Sequence, residues 1–208
     1  MRKLRIAVPR GALMAETLDL LESVGIDTAE VRTNDRKLLF ADLGIITMRP
    51  SDVPTYVESG AADIGITGKD VLAEQSSKSV YELLDLGLGA CTMVVATIAD
   101  DDSMEEALRH LGVVRVATKY PRTAAKHFEQ TGRQVEIVEV KGSVELAPLT
   151  GLAEAIVDLT ATGTTLRENG LVVREEIGRS TARLIANPVA YRTRVTEIDA
   201  LLERLRAR

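Results

Sequence analysis

Short apolar runs that alternate with helical patterns are the feature that most constrains this fold. The runs occupy residues 4–8, 44–47, 62–67, 113–117, 135–140 and 155–157. After the first of them, apolar residues recur at helical spacing, as at Leu13, Leu20, Leu21 and Val24, until Gly25. Buried strands that alternate with helices build α/β domains, so the sequence predicts that class.

Two pairs of strand patterns indicate where the chain passes between domains. The stretches 81–86 and 90–98 are separated by Gly87 and Gly89, and 172–177 is followed by 182–186. We therefore expect two interdomain crossings, near residues 87–91 and 178–182. The first α/β domain would comprise residues 1–89 and 181–208, and the second residues 90–180. A ligand would bind in the cleft between them, at the carboxyl ends of the strands.

The net charge and the cysteine content limit which binding partners and which cellular compartment are expected. The chain has 208 residues, a net charge of -5 and one cysteine, Cys91. The acidic balance argues against nucleic acid, and a single cysteine excludes an internal disulfide and fits a reducing compartment. The chain enters its first strand without a signal-peptide pattern, and no apolar run is long enough to cross a membrane. We therefore expect a cytoplasmic protein.

Residues 154–171 have the pattern best suited to binding an anion. A strand at 155–157, closed by Asp158, leads through a turn around Gly163 into a helix at 166–169 that Gly170 ends. Such a loop directs unpaired N–H groups and a helix dipole at one point. The alternative is a strand-turn-helix junction with threonine caps. The loop residues predicted to bind are Thr160, Ala161, Thr162, Gly163, Thr164 and Thr165.

Basic residues stand at the other points where a strand gives way to a helix. They are Arg10, Arg49, Lys69, Lys119, Arg122 and Lys141. Each alone would be read as a surface charge, but together, in an acidic chain, they indicate a strongly anionic ligand. The Walker A motif and the dinucleotide motif Gly-x-Gly-x-x-Gly are absent from the sequence. His110 and His127 are isolated, so no protein metal site is predicted.

Several motifs resemble the short form of the ATP phosphoribosyltransferase family. They are RPSDVPTYV at 49–57, GAADIGITGKDV at 60–71, VATKYP at 116–121, GSVELAP at 142–148 and TGTTL at 162–166, the last preceded by Asp158. The loop motif also resembles the one with which phosphoribosyltransferases hold the 5-phosphate of phosphoribosyl pyrophosphate. One departure is Arg10-Gly11-Ala12, where the family usually has Lys-Gly-Arg. The resemblance implies a fold like that of type II periplasmic binding proteins.

The resemblance also implies a reaction, the first step of histidine biosynthesis. N1 of the adenine of ATP would attack C1 of the ribose of phosphoribosyl pyrophosphate, and pyrophosphate would leave. Both substrates are polyanions, which agrees with the basic loop ends. Mg²⁺ would be bound to the substrate and would keep water and phosphate oxygens as ligands. Catalysis would rest on positioning and electrostatics, without a protein nucleophile.

The resemblance gives hypothetical roles to individual residues. The threonine loop would hold the 5-phosphate, and Asp158 would accept hydrogen bonds from ribose hydroxyls or bond the amides of its own loop. Glu145 would contact the exocyclic amine of adenine or orient the ribose, or only begin a helix. Tyr120 would stack on adenine or lie in the core. The residues predicted to bind pyrophosphate or the ATP triphosphate are Arg32, Arg49 and Lys69, joined by Arg10 and Gly11.

Short members of the family work with a separate regulatory subunit related to histidyl-tRNA synthetase. Because the chain ends at Arg208, we expect that partner, together with a homo-oligomer, most simply a dimer. An apolar stripe along a terminal helix at 195–205 would contact one of these or pack on its own domain. Two other functions are a solute-binding module, which should carry an export signal, and a nucleotide sensor that lacks the chemistry.

Overall fold

The computed structural model of this chain describes residues 3–99 and 102–208. Residues 1–2 and residues 100–101 lie outside that description. The first pair belongs to the N-terminal stretch for which no signal peptide was predicted. Contacts divide the chain into two compact units, Met1–Gly89 with Thr181–Arg208, and Ala90–Ser180. These ranges coincide with the two domains derived from the sequence, and the chain changes unit where the crossings were expected.

The first unit is a mixed sheet covered by helices. Its strands are β1 (Ile6–Pro9), β2 (Leu39–Phe40), β3 (Ile45–Met48), β4 (Ile64–Gly68), β5 (Tyr81–Asp85) and β11 (Ala182–Ala186). Its helices are α1 (Met14–Ser23), α2 (Ala29–Thr33), α3 (Val53–Glu58), α4 (Lys69–Glu74), α9 (Pro188–Thr193) and α10 (Val195–Arg206), with 3₁₀ turns at Gly11–Leu13 and Pro50–Asp52. The strand order is β2-β3-β1-β4-β11-β5.

The centre of this sheet is parallel, as buried βαβ units require. Strand β1 pairs in parallel with β3 and β4, whereas β11 pairs antiparallel with β4 and β5. The stripe of α10, represented by Ile198, Leu201 and Leu202, is buried in the core of this unit. The stripe therefore packs on its own unit, and the alternative in which it contacts a second chain is wrong for these buried side chains.

The second unit is also a mixed sheet with helices. Its strands are β6 (Cys91–Ile98), β7 (Val114–Thr118), β8 (Val135–Glu139), β9 (Ala155–Thr160) and β10 (Leu171–Ser180). Its helices are α5 (Ser103–His110), α6 (Pro121–Gln130), α7 (Leu146–Leu149) and α8 (Thr164–Glu168). The strand order is β10-β6-β9-β7-β8, with β7 parallel to β8 and β9, and β6 antiparallel to β9 and β10.

Several boundaries differ from those predicted. Strand β9 continues to Thr160, so Asp158 lies within the strand rather than at its end, and α8 begins at Thr164 rather than at residue 166. Helices α2 and α9 were not predicted. Among the described residues, no helix has both the length and the apolar character needed to span a membrane.

Candidate functional site

The threonine-rich loop joins the end of β9 to the start of α8, and its own side chains hold it closed. Gly163 has φ +72 and ψ 3, a left-handed conformation that residues with a Cβ adopt only at a cost. Its N–H donates to Thr160 Oγ1 at 2.9 Å, and the hydroxyl oxygens of Thr162 and Thr164 lie 2.9 Å apart. The glycine allows the chain to pass from strand to helix through residues 161–163 alone.

The structure brings all the predicted loop residues together. Ala161, Thr162, Thr164 and Thr165 are exposed, while Leu166 is buried and anchors the helix to the core of the unit. First-turn N–H groups of a helix have no acceptors within that helix, and the dipole makes this end partially positive. The Gly163 and Thr164 N–H groups donate to the hydroxyls of Thr160 and Thr162, so the loop offers its exposed hydroxyls and the remaining first-turn amides to a phosphate.

Arg167 lies against this loop and was not among the predicted site residues. Its Nη1 donates to the Thr162 carbonyl at 2.9 Å and its Nη2 donates to Thr164 Oγ1 at 3.0 Å. The guanidinium both braces the loop and adds positive charge beside it. A signal was present in the sequence, because residues three and four positions apart share one face of a helix, and Arg167 stands at those distances from Thr164 and Gly163.

Asp158 lies within β9, just before the loop, and is only 6% exposed. Its Oδ1 accepts a hydrogen bond from the Leu159 N–H at 2.8 Å and lies 3.3 Å from Nζ of Lys119, the residue after β7. Burial raises the pKa of the Asp158 carboxyl and the charge of Glu145 adds to that rise, against the lowering effects of Lys119 and the Leu159 amide. Lys119 is one of the basic residues at the loop ends, but no role was predicted for it.

Glu145 and Tyr120 each stand just before a helix of the second unit. Glu145 precedes α7, is half-buried and makes no side-chain capping hydrogen bond. Its negative charge makes the smallest of the contributions to the pKa of Asp158 and raises it. Tyr120 precedes α6 and packs against the core cluster that contains Phe128. This placement agrees with the predicted alternative of a core tyrosine.

In the first unit, an open depression of about 670 Å³ collects three of the predicted residues. Arg10, Gly11 and Arg49 line it, together with Met48 and Tyr56. The Arg10 amide donates to the Met48 carbonyl at 2.7 Å, which joins the loops after β1 and β3. Gly11 has φ +81 and no atom near the position of a Cβ, so the backbone is open to a ligand here. Arg49 is exposed.

The other two predicted residues of the first unit are engaged with carboxylates and do not line this depression. Arg32 donates from Nε to Glu22 at 2.8 Å and from Nη2 to Asp19 at 2.5 Å. These bonds raise the pKa of Arg32 above its ordinary value, the one to Glu22 more than the one to Asp19. The ammonium of Lys69 lies 2.5 Å from Glu82 on β5. The structure thus separates Arg32 and Lys69 from the group formed by Arg10, Gly11 and Arg49.

The folds of the two units define the fold class of the protein. The chain is similar in structure to the periplasmic aliphatic sulphonate binding protein SsuA from Escherichia coli, with a TM-score of 0.59 and 13% identity, over 97% of this chain and 70% of that one. That likeness concerns the fold alone. The chain therefore has an α/β fold of the kind found in type II periplasmic binding proteins, and its threonine-rich loop follows β9.

Sequence comparison then places the chain in one family within that class. The profile of the family described as HisG: ATP phosphoribosyltransferase matches residues 49–207. A protein from Rubrobacter xylanophilus named ATP phosphoribosyltransferase is 58% identical over 205 residues, which cover 97% of this chain and 94% of that protein. A solved chain from the ATP phosphoribosyl transferase (HisG:HisZ) complex of Thermotoga maritima has a TM-score of 0.80 and 33% identity, covering 99% of this chain and 98% of that one. The chain belongs to the ATP phosphoribosyltransferase family.

Proposed function

We propose that this chain catalyses the first step of histidine biosynthesis, as an ATP phosphoribosyltransferase. It transfers the phosphoribosyl group of phosphoribosyl pyrophosphate to N1 of the adenine of ATP, and pyrophosphate is released. Family membership supports this reaction over nearly the full length of the chain. Within the structure, the observation that carries the proposal is the exposed threonine loop, which turns at left-handed Gly163 and follows the strand that carries the buried carboxylate of Asp158.

In the second unit, the threonine loop binds the 5-phosphate of the ribose. Its exposed hydroxyls and first-turn amides supply neutral donors, and Arg167 supplies a charge beside them. Asp158, on the strand that leads into the loop, accepts hydrogen bonds from the ribose hydroxyls, and Glu145 orients the sugar or the adenine. Because the reaction needs no protein nucleophile, these groups act by positioning the reactants and stabilising charge.

In the first unit, Arg10 and Arg49 bind a second anion, either pyrophosphate or the triphosphate of ATP. Both line the same depression, and the open backbone at Gly11 allows a phosphate to approach closely. Arg10 Nη2 also donates to the Asp35 carbonyl at 2.6 Å, which leaves its remaining N–H groups for a ligand. Arg32 and Lys69 would join them only by exchanging their carboxylate partners for substrate oxygens.

Mg²⁺ would reach the site with the substrate phosphates. Among the described residues, no cluster of three or more His, Cys, Asp or Glu side chains is arranged to hold a metal ion. An ion here would therefore take most of its ligands from phosphate oxygens and water, which Mg²⁺ tolerates well. The charge of such an ion would neutralise the leaving pyrophosphate.

A regulatory subunit is the proposed partner. The Thermotoga maritima relative was solved in a HisG:HisZ complex, and the chain aligns with 98% of that relative. We propose a HisZ-type subunit for this chain as well, together with a homo-oligomer, most simply a dimer, in the cytoplasm.

The decisive assay supplies ATP, phosphoribosyl pyrophosphate and Mg²⁺ and measures phosphoribosyl-ATP and pyrophosphate, with and without a HisZ-type subunit. Equimolar appearance of the two products supports the proposal, whereas binding of both substrates without product in either arm would make the chain a nucleotide sensor.

Thr165→Val should weaken binding of phosphoribosyl pyrophosphate. The matched control is Thr131→Val, which removes an exposed hydroxyl from the same unit after α6.

A further inference from the structure

The pairing of Lys119 with Asp158 is built into the sheet of the second unit. Strands β7 and β9 are parallel, with Thr118 opposite Val157, so the next residues on the two strands, Lys119 and Asp158, lie side by side. Thr118 Oγ1 fixes this end of β7, because it donates to the Val157 carbonyl at 2.7 Å and accepts from the Tyr120 N–H at 2.8 Å. The Nζ of Lys119 lies 3.3 Å from Oδ1 of Asp158.

The groups around Asp158 set its charge. Strand β6 presents Val94 opposite it, which offers no charge. Burial opposes ionisation most, Lys119 and the Leu159 N–H favour it, and Glu145, from the segment before α7, opposes it least. The side chain of Asp158 is 9% exposed and that of Lys119 is 38% exposed. A partly exposed ammonium therefore lies beside a nearly buried carboxylate.

We propose that Lys119 is a positioning residue that keeps the Asp158 carboxylate ionised and fixed in place for the ribose hydroxyls. This inference rests on the proposed function, because it takes Asp158 as the ribose contact. Only the ionised carboxylate has acceptor capacity on both oxygens without competing as a donor. Lys119 therefore acts through Asp158, and its loss should matter most where the carboxylate is protonated most easily, at acidic pH.

The activity test compares the pH profiles of kcat/KM for phosphoribosyl pyrophosphate in the wild type, Lys119→Met and Lys119→Arg. In Lys119→Met the acidic limb should move to higher pH, with about a tenfold loss below the limb and recovery towards the wild-type plateau at alkaline pH. Lys119→Arg should retain the wild-type profile. An equal loss at every pH, with the limb unmoved, would overturn the inference, because it would indicate direct contact between Lys119 and a substrate.

A second measurement does not depend on catalysis. The side-chain carboxyl of Asp158 can be titrated by ¹³C NMR, with Asp158→Asn used to assign its resonance. The midpoint should lie higher in Lys119→Met than in the wild type, and it should not change in the control Lys126→Met, which removes an exposed charge from α6. An unmoved midpoint in Lys119→Met overturns the inference. If the midpoint moves but the wild type makes no phosphoribosyl-ATP, the proposed function fails while the pairing stands.

Discussion

Replacing Gly163 by alanine tests the central feature of the site, the left-handed turn of the threonine loop. The Gly163 backbone has φ +72, and an added Cβ would lie 3.0 Å from Nη1 of Arg167. The left-handed conformation costs a residue with a Cβ roughly 1–2 kcal/mol. The guanidinium is the mobile end of a side chain and can move, but it would then loosen its 2.9 Å bond to the Thr162 carbonyl.

The loop in Gly163→Ala can relieve this strain by leaving the left-handed turn, and binding of the 5-phosphate to the proposed site must then restore that turn. A penalty of about 1–2 kcal/mol corresponds to a factor of about 5–30 in affinity. We therefore expect KM for phosphoribosyl pyrophosphate to rise by about that factor, measured at saturating ATP. KM for ATP should change little.

The matched control is Gly170→Ala, just beyond α8. Gly170 also has a positive φ, +67, but no atom lies within 4 Å of the position of its Cβ. This control has comparable backbone strain without touching the loop, so it should lower the unfolding temperature and leave KM for phosphoribosyl pyrophosphate unchanged. If both variants lose stability alike and neither changes that KM, the loop does not bind the 5-phosphate.

Three further changes test other parts of the structure. Arg49→Met should lower kcat/KM by about tenfold or more at low salt, and by less at high salt, with an unchanged unfolding temperature, because an exposed cation that binds a phosphate is screened by salt; a loss independent of salt would contradict this role. Phe128→Ala should cost about 3–5 kcal/mol in urea unfolding, since Phe128 is fully buried; a cost below about 1 kcal/mol would contradict the packing. Burial opposes ionisation of Glu154, but hydrogen bonds from Arg115 outweigh it and lower the pKa of Glu154. This depressed pKa stabilises the fold above the unfolded carboxyl value of about 4.3, and the stabilisation is lost as pH falls through the folded value. Glu154→Gln should therefore be less stable than the wild type at neutral pH, and the gap in stability should close as pH falls through the folded pKa of Glu154; a gap independent of pH would contradict the ion pair.

The apolar strands and the first-turn signals were readable from the sequence because they depend on local pattern. Helix α9 had such a signal that was overlooked: Asn187 caps it by accepting from the N–H groups of Val189 and Ala190, and Pro188 occupies the first turn. Helix α2 had none, since Val31 is its one buried residue among the described positions and no apolar periodicity results. Helix α2 was not predicted because it lacks this periodicity.

Some site residues could also be predicted from a local stretch of sequence, whereas others depend on the tertiary structure. The threonine loop is continuous in sequence, so its members could be named together. Arg32 stands in a helix whose existence was not predicted, and its carboxylate partners belong to α1. The contact between Lys119 and Asp158 depends on which strands are neighbours in the sheet, and that order is not encoded in any local stretch.

The charge of Asp158 also bears on the choice between its two predicted roles. Because burial raises its pKa in the folded chain, the ionised form at neutral pH opposes folding, and this cost disappears as pH falls and the carboxyl becomes protonated. A side chain needed only to accept the Leu159 N–H could be asparagine, whose carbonyl oxygen accepts equally well without a charge. The aspartate at this position, beside Lys119, places a carboxylate where burial favours a neutral group. A carboxylate held there can accept hydrogen bonds from the hydroxyl groups of a ligand, which is consistent with the proposed ribose contact.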